Sequence, residues 1–394
     1  MEISVFLQMK TENLDKKLGI VGGGQLGKML LSECNKMNIS TSVLDPSEKS
    51  PCKSISDKFV LGDFNDFDTV YNFGKDCDII TFEIEHINVK ALEALERDGK
   101  LVFPKSKTLK IIQDKNIQKS FFIDNKIPTS KFRFFKSISD LKKSFTLNEI
   151  SFPCVWKKTK FGYDGFGVKI LNSTEDINSL PDSEMIIEEV VPFDKELSVI
   201  VSRNSEGKVN CFETVEMEFN SKSNQVEFVI SPANISEEAN KEAKELAVKL
   251  AESLDLVGVL AVEMFLTKDK IYVNEIAPRP HNSGHFSIEA CSSSQYQEHL
   301  RAIFNLDLGD TKHSGCAIMI NLVGEEKHMG KVFYEGIESI FKIKSANLHI
   351  YGKEETRPNR KMGHVTIICD KFEEAYEKAK LIKQTIKVKS RTNG

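Results

Sequence analysis

The sequence predicts an α/β domain at its N-terminus and α+β structure after it, on three observations. From Lys17 to about Lys105, short apolar β runs alternate with helical patterns, the mark of βαβ units on a parallel sheet. Between residues 130 and 230 short strands follow one another as hairpins do. From about Thr311 the chain returns to strands and ends on a Lys-rich helix.

In order, the N-terminal strands are LGIVGG, ISTSVLD, KFVLGD, DIITFEIEH and LVFP, and the helices between them are GQLGKMLLSECNKM, DFDTVYNFGKD and NVKALEALERDG. Leu26, Met29, Leu30 and Cys34 recur on one helical face. One helix is expected around Lys107–Asn125, closed by Ile127 and Pro128. KFRFF, CVWKKT, GVKIL, MIIEEVV, ELSVIVSR, VNCFETVEMEF and VEFVISPAN read as strands. EEANKEAKELAVKLAESLDL is an amphipathic helix with Ala243, Leu246, Ala247 and Leu250 on one face. A hairpin, GVLAVEMFLTKDKIYVNEIAP, precedes a helical stretch from about Ser287 to Phe304. CAIMINLVG, NLHIYG and HVTIICD are the strands of the last part.

The 394 residues suffice for two or three domains with proper cores. Hydrophobic residues at 40% and charged residues at 28% are ordinary for a soluble globular chain. A net charge of -4 gives no broad attraction to nucleic acid or anionic membrane, so neither is an expected partner. Any phosphate site must therefore be a local cluster of cations. The eight cysteines lie far apart with no C-x-x-C pair, which argues for reduced thiols in a cytoplasmic protein. No apolar run reaches a membrane span, and MEISVFLQMKTENLDKK lacks the long apolar core of a secretory signal.

Four clusters carry chemistry. Gly22, Gly24 and Gly27 fit G-x-G-x-x-G after a strand, with Asp45 closing the next strand about twenty residues on. Such a turn offers backbone N–H groups at a helix N-terminus to any phosphate or carboxylate. It also fits a plain strand-to-helix turn. In KKTKFGYDGFGVKI, Gly162, Gly165 and Gly167 follow Lys157, Lys158 and Lys160, a loop suited to folding over a polyphosphate. The same residues fit a hairpin turn with solvated lysines. EMIIEEVVPFDKELSV offers main-chain groups at Glu189–Val191 for an adenine edge, and carboxylates for a ribose or for solvent.

The fourth cluster, AVEMFLTKDKIYVNEIAPRPHNSGH, puts Glu263 on one hairpin strand and Asn274 and Glu275 on the other. Carboxylates gathered inside a sheet repel and lose hydration; a hard divalent cation removes that penalty, and oxygen-only ligands point to Mg²⁺. A symmetric turn would set Glu263 opposite Asn274, so facing carboxylates need a bulge. Arg279, His281, Asn282, Ser283 and His285 follow as a loop of polar donors. Near the end, RPNRKMGH supplies Arg357, Arg360, Lys361 and His364, a basic surface turn or a ribonucleotide phosphate site.

In this order GGGQLGKM, FGYDGFG, VEMF…VNEIAPRPHNSGH and RPNRKMGH resemble the ATP-grasp superfamily, and within it the 5-(carboxyamino)imidazole ribonucleotide synthetase family. The resemblance runs from Lys17 to the C-terminus; NEIAPRPHNSGH is its most specific stretch, and TFEIEH supports it. It implies an ATP-grasp fold with a Rossmann-like pre-ATP-grasp domain at 17–118 behind an extension at 1–16. A two-lobed ATP-grasp domain at 119–308 and a small C-terminal β-rich domain at 309–394 follow.

Carried over by position, Lys115 and Lys157 would touch the ATP phosphates under a loop of Gly162, Tyr163, Asp164, Gly165, Phe166, Gly167 and Val168. Glu188, Glu189, Val190 and Val191 would hold adenine and Glu196 the ribose. Asn274 and Glu275 would join Glu263 around Mg²⁺, for which Mn²⁺ could substitute. Arg279, His281 and His285 would be catalytic. The aminoimidazole ribonucleotide would rest on Gly24, Gln25, Leu26, Glu83, Asn282, Ser283, Lys353, Arg357, Arg360 and Lys361. The implied reaction uses ATP and bicarbonate, passes through carboxyphosphate and belongs to a cytoplasmic homodimer.

Three positions depart from the family pattern: Lys115 stands where arginine is usual, Val168 where glutamine is common, and Phe219 where a nucleotide-site histidine is expected. Other readings are a formate-dependent glycinamide ribonucleotide transformylase, a non-catalytic nucleotide-binding relative, and a nicotinamide oxidoreductase resting on residues 22–45 alone.

Overall fold

The computed structural model describes residues 14–160, 167–221, 223–268 and 270–391. Residues 1–13 of the expected extension, and Gly162, Tyr163, Asp164, Gly165 and Phe166 of the expected phosphate loop, lie outside the described residues.

The N-terminal part is a parallel sheet of β1 (Leu18–Val21), β2 (Thr41–Asp45), β3 (Lys58–Leu61), β4 (Ile79–Phe82) and β5 (Leu101–Val102) in the order β3-β2-β1-β4-β5. Strands β1, β2 and β4 are almost wholly buried, as parallel strands covered by helices on both faces must be. The helix Gln25–Lys36 buries Leu26, Met29, Leu30 and Cys34, the face its spacing predicts. These side chains pack with Tyr296, Leu300 and Ile303 of the helix Gln295–Ile303, joining the first part to the second.

The second part begins with a small antiparallel sheet of β6 (Phe132–Phe135), β7 (Cys154–Lys158), β8 (Val168–Leu171) and β9 (Met185–Glu189), ordered β6-β9-β7-β8. The larger lobe holds β10 (Lys195–Arg203), β11 (Val209–Cys211), β12 (Val215–Phe219), β13 (Val226–Ser231), β14 (Gly258–Leu266) and β15 (Ile271–Ala277). Beneath it the helix Glu237–Ser253 buries Ala243, Ala247 and Leu250 against Leu197, Val199, Leu260 and Val262. Ser236 caps that helix by accepting from the Ala239 N–H.

The last part contributes β16 (Cys316–Val323), β17 (Gly330–Glu335), β18 (Ala346–Ile350), β19 (Glu355–Thr356), β20 (Lys361–Cys369) and β21 (Lys387–Ser390). Strand β16 pairs directly with β13, so one sheet runs β15-β14-β10-β12-β13-β16-β20-β18, with β11 on β10, and spans the domain boundary expected at residue 309. The basic turn ahead of β20 and the acidic hairpin thus belong to one continuous sheet.

Several elements differ from the sequence expectation, among them a helix at Thr174–Asn178 and a strand at Lys387–Ser390 after the closing helix. The helix expected over 107–125 is two, Ser106–Ile112 and Lys115–Asp124, because the Asp114 carboxylate accepts from the Asn116 and Ile117 N–H groups and starts a new helix. The stretch 287–304 likewise breaks into Ser287–Ala290 and Gln295–Ile303, with Ser294 capping the second. A helix at Ile138–Thr146 stands where only strands were read; Ser137 caps it and Leu141 anchors it. Among the described residues no helix is long and apolar enough to cross a membrane. Cys34, Cys52, Cys77, Cys154 and Cys316 are buried, and Cys211, Cys291 and Cys369 half-buried.

Candidate active site

The site is built on the β14–β15 hairpin. From its turn the ladder pairs Leu266 with Ile271 and Met264 with Val273; it then shifts, so that Glu263 opposes Glu275 and Asn274 is the extra residue. The bulge required for facing carboxylates is therefore present. Glu196 on β10, opposite Phe265, adds a third acid. Burial, then the carboxylates of Glu275 and Glu196, push Glu263 above the usual carboxylate range. Burial takes Glu196 up to about 7. Glu275 moves the opposite way, held down chiefly by the Lys115 ammonium.

Lys115 opens the helix that Asp114 caps, and its Nζ donates to Glu275 Oε2 at 2.5 Å. Lys157 on β7 donates to Asn274 Oδ1 at 2.8 Å and pairs with Glu188 at 3.1 Å. Both lysines expected at phosphates thus stand over the acidic hairpin. Glu188 is buried on β9, where it accepts from Ser130 at 2.7 Å. The ammonium groups of Lys157 and Lys119 hold its carboxyl below the usual value despite burial. Its second oxygen, Oε1, has no partner among the described residues. Glu189, the last residue of β9, and Val190 after it lie exposed, and Phe193 beyond them stacks on Phe265 at 4.6 Å. Gly167 and Val168 lead out of the loop, Gly167 at φ 83° and Val168 exposed at the head of β8. Phe219 is half-buried and packs against the cluster around Met217 and Val229.

Beyond the hairpin, His281 Nε2 lies 3.2 Å from Glu263 Oε1. Ser283 fixes the ring from its far side at 2.9 Å, and Ser198 on β10 holds Ser283 at 2.8 Å. Arg279 pairs with Glu85 at 2.9 Å and bridges toward the N-terminal part. Asn282 and Asn321 exchange reciprocal amide hydrogen bonds at 2.9 and 2.8 Å, which ties the loop to β16. His285 is buried; its Nδ1 meets Gln295 and the Tyr296 hydroxyl, and its ring faces His364 at 4.8 Å. Gln295 and Tyr296 thus hold His285 behind the loop, whereas His281 turns to the acids.

The glycine turn is occupied by the chain's own carboxylates. Gly24 N–H donates to Glu83 Oε1 at 2.8 Å and Gly27 N–H to Oε2 at 3.3 Å, while Gly23 N–H donates to Asp45 Oδ2 at 2.8 Å. Gly22 needs its glycine, at φ 95° with Glu83 pressed against it. Two carboxylates on these donors repel a pyrophosphate, which removes the dinucleotide reading of residues 22–45. Gln25 and Leu26 open the following helix at the same edge. Lys353 donates to the Lys361 carbonyl at 2.7 Å and Arg360 to the Glu355 carbonyl at 2.6 Å. Arg357 stands exposed at the turn. The Lys361 charge acts on both Glu263 and His285, so the basic turn and the acidic hairpin share one neighbourhood.

A hard cation fits these residues. Glu263, Glu275 and Asn274 are oxygen donors on one bulged hairpin, and the raised Glu263 marks a negative charge that the protein alone does not offset. Sequence reading missed Lys119, Ser130, Glu85 and Ser198. Lys119 was within reach, since it lies four residues after Lys115 on one helical face.

Residues 15–113 match the ribonucleotide synthetase preATP-grasp domain, 120–296 the ATP-grasp domain and 317–378 the phosphoribosylaminoimidazole carboxylase C-terminal domain. The chain is 39% identical over 362 residues to a chloroplastic phosphoribosylaminoimidazole carboxylase of Vigna aconitifolia, covering 89% of itself and 64% of that longer protein. It is 38% identical to the N5-carboxyaminoimidazole ribonucleotide synthase of Bacillus subtilis, covering 89% of itself and 91% of the relative. The Thermotoga maritima N5-carboxyaminoimidazole ribonucleotide synthetase superposes with a TM-score of 0.87 at 42% identity, over 95% of this chain and 100% of that one. An Aspergillus clavatus synthase in complex with ADP and 5-aminoimidazole ribonucleotide gives 0.86 at 33%, over 94% and 98%. With three matching domain models and a 38% identical relative covered over 91% of its length, the chain belongs to the N5-carboxyaminoimidazole ribonucleotide synthase family of ATP-grasp ligases.

Proposed function

We propose that this chain joins bicarbonate to the exocyclic amine of 5-aminoimidazole ribonucleotide at the expense of ATP, giving 5-(carboxyamino)imidazole ribonucleotide, ADP and phosphate. The observation that carries the reading is the bulged acidic hairpin under Lys115 and Lys157, with His281 and Lys361 beside it. Adenine rests on the strand end Glu188–Val191 against Phe193, and Glu196 takes the ribose hydroxyls. Lys115 and Lys157 neutralise the phosphates, and the loop Gly162–Val168 covers them. When bound, Mg²⁺ (or Mn²⁺) is held by Glu263, Glu275 and Asn274 and supplies the remaining charge neutralisation on the phosphates.

A bicarbonate oxygen attacks the γ-phosphorus as the bond to ADP breaks, a transfer governed by positioning and electrostatics. The carboxyphosphate formed is unstable in water, so the site must exclude water while the amine nitrogen attacks the carboxyl carbon and phosphate departs. Arg279 steadies the anion, and His281, aligned by Ser283, stands where the amine loses its proton. His285 supports the loop from behind. The ribonucleotide lies between the edge formed by Gly24, Gln25, Leu26 and Glu83, the amides at Asn282 and Ser283, and the cations Lys353, Arg357, Arg360 and Lys361. A cytoplasmic homodimer goes with this reading on family resemblance.

ADP release measured across acid and amine pairs tests it. Turnover is expected only with bicarbonate plus 5-aminoimidazole ribonucleotide. Activation by formate and glycinamide ribonucleotide would make the chain a transformylase instead.

A further inference from the structure

Behind the candidate active site, where β18 and β20 meet the segment after the polar loop, lies a second cluster of ligating side chains. His349 and His364 are register partners on adjacent antiparallel strands. Glu289, from the short helix Ser287–Ala290, reaches them from the ATP-grasp part, with Oε1 2.5 Å from His349 Nε2. One donor atom from each of the three residues falls within 4.8 Å of the others. Two atoms of this group are buried without a partner among the described residues: His364 Nε2, on a fully buried ring, and Glu289 Oε2. Buried polar atoms are seldom left unsatisfied, and each one needs an explanation.

We propose that Glu289, His349 and His364 form a binding site for a divalent transition-metal ion of the zinc class, which latches the C-terminal strands to the ATP-grasp part. Two imidazoles and a carboxylate are a zinc-type donor set, unlike the oxygen-only hairpin of Glu263 and Glu275. The Tyr351 hydroxyl, 3.0 Å from His364 Nδ1, occupies that nitrogen and leaves Nε2 as the ligand atom, as outer hydrogen bonds to metal-bound histidines do. Burial and the neighbouring His285 and His349 keep His364 in its neutral, ligating form. Donors around a tetrahedral ion stand roughly 3.4 Å apart. The cluster must therefore contract on binding, and one of the two rings, now stacked at 4.4 Å and 10°, must turn. A histidine ring turns readily about its broad second torsion. The ion would tie Glu289, next to the Arg279–His285 loop, to β20, which starts at Lys361.

The test does not depend on which amine the enzyme carboxylates. The full chain, stripped with chelator and kept in excess Mg²⁺, is titrated with Zn²⁺ by calorimetry and with Co²⁺ by visible absorption. One ion per chain is expected, with a tetrahedral Co²⁺ spectrum and a raised Tm. His349→Ala and Glu289→Gln are each expected to weaken Zn²⁺ by at least about tenfold, with His349→Gln replacing the alanine variant should that one not fold. Glu263→Gln is expected to leave Zn²⁺ binding intact. Absence of binding at micromolar Zn²⁺, unchanged affinity in the folded Glu289 and His349 variants, or loss in Glu263→Gln would each overturn the site.

Discussion

Glu263 faces Glu275 across the β14–β15 hairpin because Asn274 is an extra residue between them. Burial and the facing carboxylates raise the Glu263 pKa above its unfolded value of 4.5, so the group favours folding while protonated. That contribution is complete below pH 4.5 and is lost as pH rises through the raised value. Glu263→Gln is therefore expected to lift Tm by about 2–4 °C at pH 9 without metal, with the gap closing toward pH 5. Mg²⁺ should narrow the gap at pH 9 by stabilising the wild type alone. Scanning calorimetry at both pH values checks this; a variant less stable at pH 9 would mean that the carboxylates are already compensated within the protein.

Glu275→Gln isolates the chemistry from the fold. The side chain is 41% exposed, so the amide is accommodated without a buried cavity. Losing its charge should lower kcat by at least about 10²–10³-fold while Tm stays within a few degrees, since a charge-stabilising contact of this kind matters most in the transition state. Near-normal turnover in the folded variant would remove Glu275 from the phosphate end of the site.

Much of this site was legible because its signals are local. The βαβ alternation of the N-terminal part, the buried face of Gln25–Lys36 and the placing of Glu263 and Glu275 on one hairpin all follow from short-range periodicity and motif. What was not legible depends on distant partners. Nothing near Cys316 shows that β16 completes a sheet with β13, about ninety residues earlier, because strand pairing is set by tertiary packing rather than propensity. Similarly, the glycine fingerprint predicts an anion at Gly24 and Gly27 but not that the anion is Glu83, 59 residues away in sequence from Gly24. The break at Asp114 was readable as a cap, yet the apolar pattern continued across it.

Lys119 tests the buried charge cluster that the motifs did not reveal. Burial lowers its ammonium to about 7, against the pull of Glu188. A lysine whose folded pKa lies below its unfolded 10.5 costs stability as pH falls toward and through 7, because the unfolded chain takes the proton more readily. Lys119→Met keeps the aliphatic volume and leaves Glu188 with Lys157 and Ser130. Its Tm relative to wild type should be more favourable at pH 6 than at pH 9. The reverse order would show that the ammonium stays charged and paired throughout.

Gly24 measures what the glycine turn does for the acceptor. A Cβ there would stand 2.8 Å from Glu83 Oε1 and push the carboxylate off the Gly24 N–H. Losing a charge-assisted hydrogen bond of about 1.5–3 kcal/mol predicts that Gly24→Ala raises KM for the ribonucleotide roughly 10- to 100-fold. KM for ATP should hold, since the lysines and acids of the nucleotide end lie on other elements. Equal rises in both constants would point to a general loosening of the interface between the first two parts.

The same carboxylates make a prediction about the cofactor that the fingerprint suggests. NADH would have to bring its pyrophosphate to the N–H groups of Gly23, Gly24 and Gly27, which already donate to Asp45 and Glu83. Displacing either acid leaves it beside a phosphate of like charge, and Glu83 is too buried to swing into water. Calorimetric titration with NADH should therefore give no saturable heat at micromolar concentrations. Glu83→Gln should not create binding, because Asp45 still holds the Gly23 N–H. Stoichiometric NADH binding to the wild-type chain would mean that the turn opens to release both carboxylates, and it would reinstate the dinucleotide reading of residues 22–45.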